Sequence, residues 1–233
     1  MTPIAPDVWH VPAAPLRMPG GFTLPLASTV MRLPDGSLLV YSPGRFDDQQ
    51  VADIAALGEV SHIVAPSLYH HLYAGKAAER WPKAQLHAAP GLATKRADVK
   101  FHYDLGVDID PSWRGVIEVE VIGGAPKMNE AVLFHRPTGT LVCADFLFNV
   151  TKPANAMTRF GLAMTGSGGK TLKQSLMWKL IVKDRAATRA SIDRIMTWPI
   201  QHISPVHGEP VDIDREHLAP LLTRSYGSTP PVR

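Results

Sequence analysis

The sequence predicts an α+β fold, a four-layer αββα sandwich in which two mixed β-sheets pack face to face with helices outside. Three observations predict it. β-prone runs joined by tight turns occupy two separate stretches, 28–89 and 116–148. Each stretch precedes segments with a helical spacing of apolar residues. No Gly/Ser-rich linker divides the chain, so a single domain spans 1–233, with a core from about 28 to 223 and a loose tail at 225–233.

The elements follow in order. Residues 28–33 and 38–42 flank Pro34-Asp35-Gly36, the pattern of two strands around a turn. Val51, Ile54, Ala55 and Leu57 space a short helix over 47–57. His62–Ala65 is a buried strand stopped by Pro66, and a helix runs from about Leu72 to Trp81. Gln85–Ala89 is another strand, closed by Pro90-Gly91. Residues 116–122 alternate as a half-buried strand does, and 131–135 and 140–144 form a second hairpin around 137–139. From Leu172 to Thr197 the pattern is helical, with a break near Lys183-Asp184 where Asp184 caps the second helix. Residues 201–204 form a last strand, and 213–223 a last helix.

Composition narrows the function. The chain has 233 residues, 45% of them apolar, and a net charge of +3. Lys and Arg are scattered without a basic run, so no nucleic-acid partner is expected. No window approaches a membrane span, so no membrane partner is expected either. Residues 1–15 lack the layout of a signal peptide. Cys143 is the one cysteine and reads as an inert buried thiol. These features lead to the expectation of a cytoplasmic protein acting on a small molecule.

The chemistry concentrates at the ends of predicted strands. His70 and His71 stand back to back, Asp145 follows an apolar run, and His207 precedes Gly208. Three imidazoles and a carboxylate form a ligand set for Zn²⁺, or for Fe²⁺ or Mn²⁺. A carboxylate at a strand end is expensive to bury unpaired, and His207 is the expected partner of Asp145. Four protein ligands would fill a tetrahedron. Either the ion becomes five-coordinate, or His70 or Asp145 stands back from it. Adjacent side chains such as His70 and His71 diverge unless the backbone turns between them. The alternative for this pair is packing at a helix N-terminus.

Other polar residues are weighed in the same way. Glu130 suits a general base, and its alternative is to hydrogen-bond the loop backbone with Asn129. Tyr69 and Tyr73 flank the histidines, as oxyanion donors or as packing. His62, His87, His102, His135, His202 and His217 show no spacing logic and read as structural or exposed. Residues 166–171 approach a phosphate-binding loop, but Met164 stands where that loop needs a glycine. The stretch 157–171 reads as a flexible loop or lid, with Met157, Phe160, Leu162 and Met164 lining a substrate surface or packing the loop down.

Four passages carry a family resemblance: 64–75, 123–135, 140–149 and 203–208. On these the chain resembles the metallo-β-lactamase superfamily, and more closely its branch known as domain of unknown function family 4336. The superfamily's HisXHisXAspHis motif falls on Pro66, Leu68, His70 and His71. Its GlyHisThr-like turn falls on Gly123-Gly124-Ala125-Pro126. The resemblance implies that all three histidines of one metal site are absent. It implies that the other site persists as His70, His71, Asp145 and His207, with His70 in an aspartate's place. It thus implies one divalent metal and a metal-dependent hydrolase of an ester, thioester, amide or phosphoester, with Asp145 and Glu130 as catalytic residues. The alternative is a non-catalytic binding module that has lost the metal. Iron redox chemistry is a third reading, and the missing site argues against it.

Overall fold

The computed structural model describes residues 1–223 and Tyr226. The loose tail expected at 225–233 falls, Tyr226 apart, outside the described residues.

Two mixed sheets form the centre. The first has seven strands in sequence order: β1 (Thr2–Ala5), β2 (Val8–Arg17), β3 (Thr23–Arg32), β4 (Leu38–Tyr41), β5 (Val60–Ala65), β6 (Gln85–Ala88) and β7 (Tyr103–Asp104). Pairing is antiparallel up to β4 and parallel from β4 to β7. The second has five, from β8 (Ile117–Val121), β9 (Ala131–His135), β10 (Thr140–Asn149), β11 (His202–Gly208) and β12 (Val211–Asp212), in the order β12-β11-β10-β9-β8. Only β10 and β11 run parallel there.

The apolar clusters define the layers. Met31, Leu39, Tyr41 and Val64 of the first sheet pack against Leu133, Val142, Ala144 and Val206 of the second. The other face of the first sheet (Val30, Val40, Ile63) is covered by Ile54 of α1 (Asp48–Leu57) and Ala77 of α2 (Ala74–Arg80). The outer face of the second (Phe134, Leu141, Cys143, Ile203) meets Trp178 of α5 (Leu176–Ile181), Ile192 and Ile195 of α6 (Arg185–Ile195), and Leu218 and Leu222 of α7 (Arg215–Thr223). The αββα order follows. Burying a side chain such as Ile54, fully enclosed, contributes about 2 kcal/mol. Hydrogen bonds also tie the sheets together: among them, Tyr41 Oη donates to the Ala131 carbonyl at 2.9 Å, and the Thr29 and Ser204 hydroxyls meet at 2.7 Å.

Local signals set two helix starts, one of them the expected cap at Asp184. Asp47 and Gln50 form a reciprocal capping box on α1. The Asp184 side chain accepts from Ala187 N and starts α6 at the predicted break.

Two expectations need correction. The core begins at Val8, not near 28, because β2 extends the first sheet and buries Val8 and Val11, with β1 paired along its edge. β2 carries Pro12 and Pro15, which argue against a strand in sequence. β1 pairs only with residues 8–10, so both prolines lie on the edge portion, where a missing N–H does no harm. The stretch 157–171 is not an open loop. It contains most of α4 (Ala156–Met164), capped by Asn155, whose side chain accepts from Thr158 N. Leu162 packs inward against Phe148 and Val150, while Met157, Phe160 and Met164 face outward. A further short helix, α3 (Leu92–Lys95), follows β6.

Candidate metal centre

His70 sits in the turn between β5 and α2. The Ser67 hydroxyl accepts from the backbone N–H of Tyr69 and of His70, at 3.2 and 3.0 Å, and fixes that turn. The Leu68 N–H is bound by the Met128 carbonyl. His70 Nδ1 lies 3.2 Å from the Ser42 hydroxyl, which leaves Nε2 facing inward.

Asp145 is placed by a break in the β10–β11 register. Cys143 pairs with Pro205, but the next pair is Phe148 with His207, so β10 bulges over the residues between. The bulge frees three consecutive backbone N–H groups, and Glu130 takes them all. Its Oε1 accepts from Ala144 and Phe146 at 2.8 and 3.2 Å, and its Oε2 from Asp145 at 2.9 Å. Burial and the neighbouring Asp145 charge push the Glu130 carboxyl up to about 8, against the pull of those donors. Glu130 is fully buried and does not line the cavity beside Asp145. The expectation of a general base at Glu130 is therefore corrected: the residue holds backbone, because the bulge presents donors that nothing else satisfies.

His207 is oriented from both sides. Its Nδ1 donates to the Pro25 carbonyl at 2.9 Å, and its ring stacks on Phe148 with centroids 4.7 Å apart. The Nδ1 proton leaves Nε2 to face Asp145 and His70, a common way of fixing a metal-ligating imidazole.

The three side chains converge. His207 Nε2 is 3.2 Å from Asp145 Oδ1 and 3.2 Å from His70 Nε2, and His70 Nε2 is 3.2 Å from Asp145 Oδ2. Burial alone would raise the Asp145 pKa, but the His70 and His207 imidazoles override it and hold the carboxyl well below its ordinary range. Burial disfavours charge on His70, yet Asp145 wins there too and raises it.

His71 is not part of this cluster, and the four-ligand set is corrected to three. Its Nδ1 lies 3.1 Å from Nη1 of Arg96, which also donates to the His71 carbonyl. Burial, Lys95 and Arg96 lower its pKa. His71 lines the cavity, but its Nδ1 meets Arg96 rather than Asp145 or His207.

The cluster opens on a cavity of about 490 Å³ with mostly apolar walls, including Leu16, Leu24, Leu26, Met177 and Ile181. Leu68 and Met128 line it beside His70. Lys95 is also at the wall, its ammonium 5.4 Å from the Tyr69 ring centre.

A second group of the same composition lies elsewhere. His62 Nδ1 is 3.0 Å from His87 Nε2 and 3.9 Å from Asp110 Oδ2. Both groups have the donors to hold a metal ion, with ligand atoms within 4.8 Å of one another. His62, His87 and Asp110 are buried and do not line the cavity. Burial lowers His87 to about 3, and Tyr103 and Trp113 stack around it. Sequence spacing gave no sign of this group, because it forms only when parallel β5 and β6 lie side by side.

Comparison with known proteins agrees with this architecture. The family model described as domain of unknown function (DUF4336) matches residues 21–165. No curated protein matches the chain. Among solved structures, the chain is similar to the metallo-β-lactamase DIM-1 exposed to ceftazidime, at 16% identity and TM-score 0.62, covering 96% of this chain and 95% of that one. It is similar to the mono-zinc form of the metallo-β-lactamase FIM-1 from Pseudomonas aeruginosa, at 15% identity and TM-score 0.62, covering 97% and 93%. It is also similar to the metal-soaked Flv1 flavodiiron core from Synechocystis, at 12% identity and TM-score 0.65, covering 96% of this chain and 60% of that one. The chain belongs to the DUF4336 family and has the metallo-β-lactamase fold.

Proposed function

We propose that the chain is a hydrolase that uses one divalent metal ion, held by His70, Asp145 and His207. A single observation carries this reading: His70 Nε2 and His207 Nε2 stand 3.2 Å apart, each 3.2 Å from one oxygen of the Asp145 carboxylate, and all three side chains line an open cavity. Ligands about 2.0–2.1 Å from a tetrahedral ion stand roughly 3.3 Å apart, so the donor set fits a first-row metal with little movement. Three ligands, rather than the four expected from sequence, leave a coordination position toward the cavity, as catalytic sites require. The His62 group has similar donors but does not line this cavity, which favours the His70 group for catalysis.

Zinc, iron or manganese bound there would supply Lewis acidity to an ester, thioester, amide or phosphoester. The protein groups do the rest. Pro25 and Phe148 orient His207, Ser42 orients His70, and the Glu130-held bulge fixes Asp145. Lys95 places a positive charge at the cavity wall, where a developing oxyanion would be stabilised. The apolar walls exclude water from around the reacting bond. Leu68 and Met128 stand beside His70 with no metal-binding nitrogen, which supports one ion in this cavity.

Metal analysis of the purified protein, with ester and phosphodiester assays before and after chelation, tests the proposal. His70→Ala and His207→Ala should each lose the metal and at least ~100-fold in turnover, because the Lewis acid goes with its ligand. His71→Ala should keep both. Hydrolysis that survives complete chelation overturns metal catalysis. A metal-free and inactive wild-type protein favours the binding-module alternative.

A further inference from the structure

Beside the cavity mouth the chain exposes apolar surface that the core does not need. On α4, Met157, Phe160 and Met164 recur at i, i+3 and i+7, so they share one helix face. On α5, Leu176, Met177 and Leu180 do the same at i, i+1 and i+4. All six are between 47% and 77% exposed. The inward faces are different: Leu162 and Trp178 are buried. The two helices are joined, since Leu176 N donates to the Thr165 carbonyl. Met177 belongs both to this outer face and to the cavity wall, so the patch is continuous with the site.

Charge gives the patch a partner. Residues 150–183 contain Lys152, Arg159, Lys170, Lys173, Lys179 and Lys183 and no Asp or Glu. The whole chain carries 24 basic and 21 acidic residues, so this segment stands apart. None of the six makes an ion pair among the described residues. Exposed apolar side chains flanked by unpaired cations, with no anion among them, complement the interface of an anionic lipid bilayer. The apolar groups enter the acyl boundary while the cations meet headgroup phosphates. A protein partner with an apolar face would need no such one-sided charge. No helix among the described residues is long and apolar enough to cross a membrane, so the contact is peripheral.

We propose that the α4–α5 face docks on an anionic lipid surface and that the cavity takes from it a substrate with an apolar chain. The choice of substrate rests on the hydrolase reading above, whereas the docking does not. Leu16, Leu24 and Leu26 would accept the chain while the reacting group lies toward His70, Asp145 and His207.

Sedimentation with lipid vesicles tests the docking. The protein should bind phosphatidylcholine vesicles containing about one third phosphatidylglycerol at least ~10-fold better than pure phosphatidylcholine vesicles, and lose that preference in high salt. Two double variants separate the contributions. Phe160→Ser with Leu180→Ser should weaken binding at least ~10-fold through lost insertion, and Lys170→Glu with Lys179→Glu should abolish the anionic preference. His70→Ala should bind vesicles as the wild type does, because it alters the site and not the face. Equal binding to both vesicle types, or unchanged binding by both double variants, overturns the docking. So does a wild-type dimer that Phe160→Ser with Leu180→Ser dissociates, since a second copy would then cover the face. Vesicle binding without hydrolysis would sink the hydrolase reading alone. Hydrolysis without vesicle binding would sink the docking alone. If both hold, esters with long acyl chains should be cleaved at least ~10-fold faster than acetyl esters, and no chain-length preference would overturn the substrate assignment.

Discussion

Glu130 Oε2 accepts a hydrogen bond from the backbone N–H of Asp145 at 2.9 Å, so one buried carboxyl group holds the chain that presents the other. Glu130→Gln would offer one acceptor and turn an amide donor toward an N–H donor. The expected result is a loss of about 2 kcal/mol in stability and a roughly tenfold weaker metal affinity through a displaced Asp145. Urea midpoints and metal titration check it. Wild-type stability and metal affinity with reduced turnover would instead restore Glu130 as the general base.

Gly208 follows His207 in the left-handed region, at φ +111°, and an added Cβ would fall 2.0 Å from the Asn149 carbonyl oxygen. Neither strand can yield there, because Asn149 and Gly208 are paired in the β10–β11 ladder. Gly208→Ala should therefore cost on the order of 2–4 kcal/mol and move His207 off the metal. Thermal unfolding and metal content measured on the same preparation will show whether both fall. A variant that keeps its metal at full occupancy contradicts the backbone argument.

Acid should destabilise the fold through buried neutral histidines. Burial lowers His87 from 6.5 to about 3, and His10 from 6.5 to about 4. The unfolded chain binds these protons as pH falls below 6.5, while the folded chain does not, so stability present above 6.5 is lost on the way down. Each pKa unit is worth about 1.4 kcal/mol, which makes the combined loss several kcal/mol by pH 4. Glu130, raised to about 8, works in the opposite direction over this window, so the readout is a difference: from pH 7 to pH 5 the wild-type unfolding midpoint should fall relative to that of His87→Gln. Parallel pH slopes for the two proteins would show that the His87 imidazole is already hydrated.

The sequence makes strands and most helices legible where local chemistry decides them. Asp184 caps α6 at the expected break, α1 falls within the helix expected over 47–57, and Pro34-Asp35-Gly36 joins the first predicted strand pair. It does not reveal what depends on distant partners. The edge position that makes Pro12 and Pro15 harmless to β2 is set by where the short β1 stops. The bulge at Asp145 appears only when β10 meets β11. The choice of His70 over His71 is made by the Ser67 turn and by Arg96, neither of which has a spacing relation to the histidines. Asp145 and His207 were readable as a pair because each ends an apolar run, whereas the fixing partners Pro25 and Ser42 carry no such mark.

The three residues proposed as ligands come from different halves of the sandwich. His70 hangs from the first sheet through the β5 turn, while Asp145 and His207 belong to the second. The cluster is thus a gauge of how the sheets are registered against each other. A slide of half an ångström between them would change His70–Asp145 and His70–His207 separations while leaving Asp145–His207 untouched. In the proposed centre, ion size would then be selected by the stiffness of the whole interior, through contacts such as Tyr41 to Ala131 and Thr29 to Ser204. A core substitution far from the ligands can retune which ion fits, with no ligand altered.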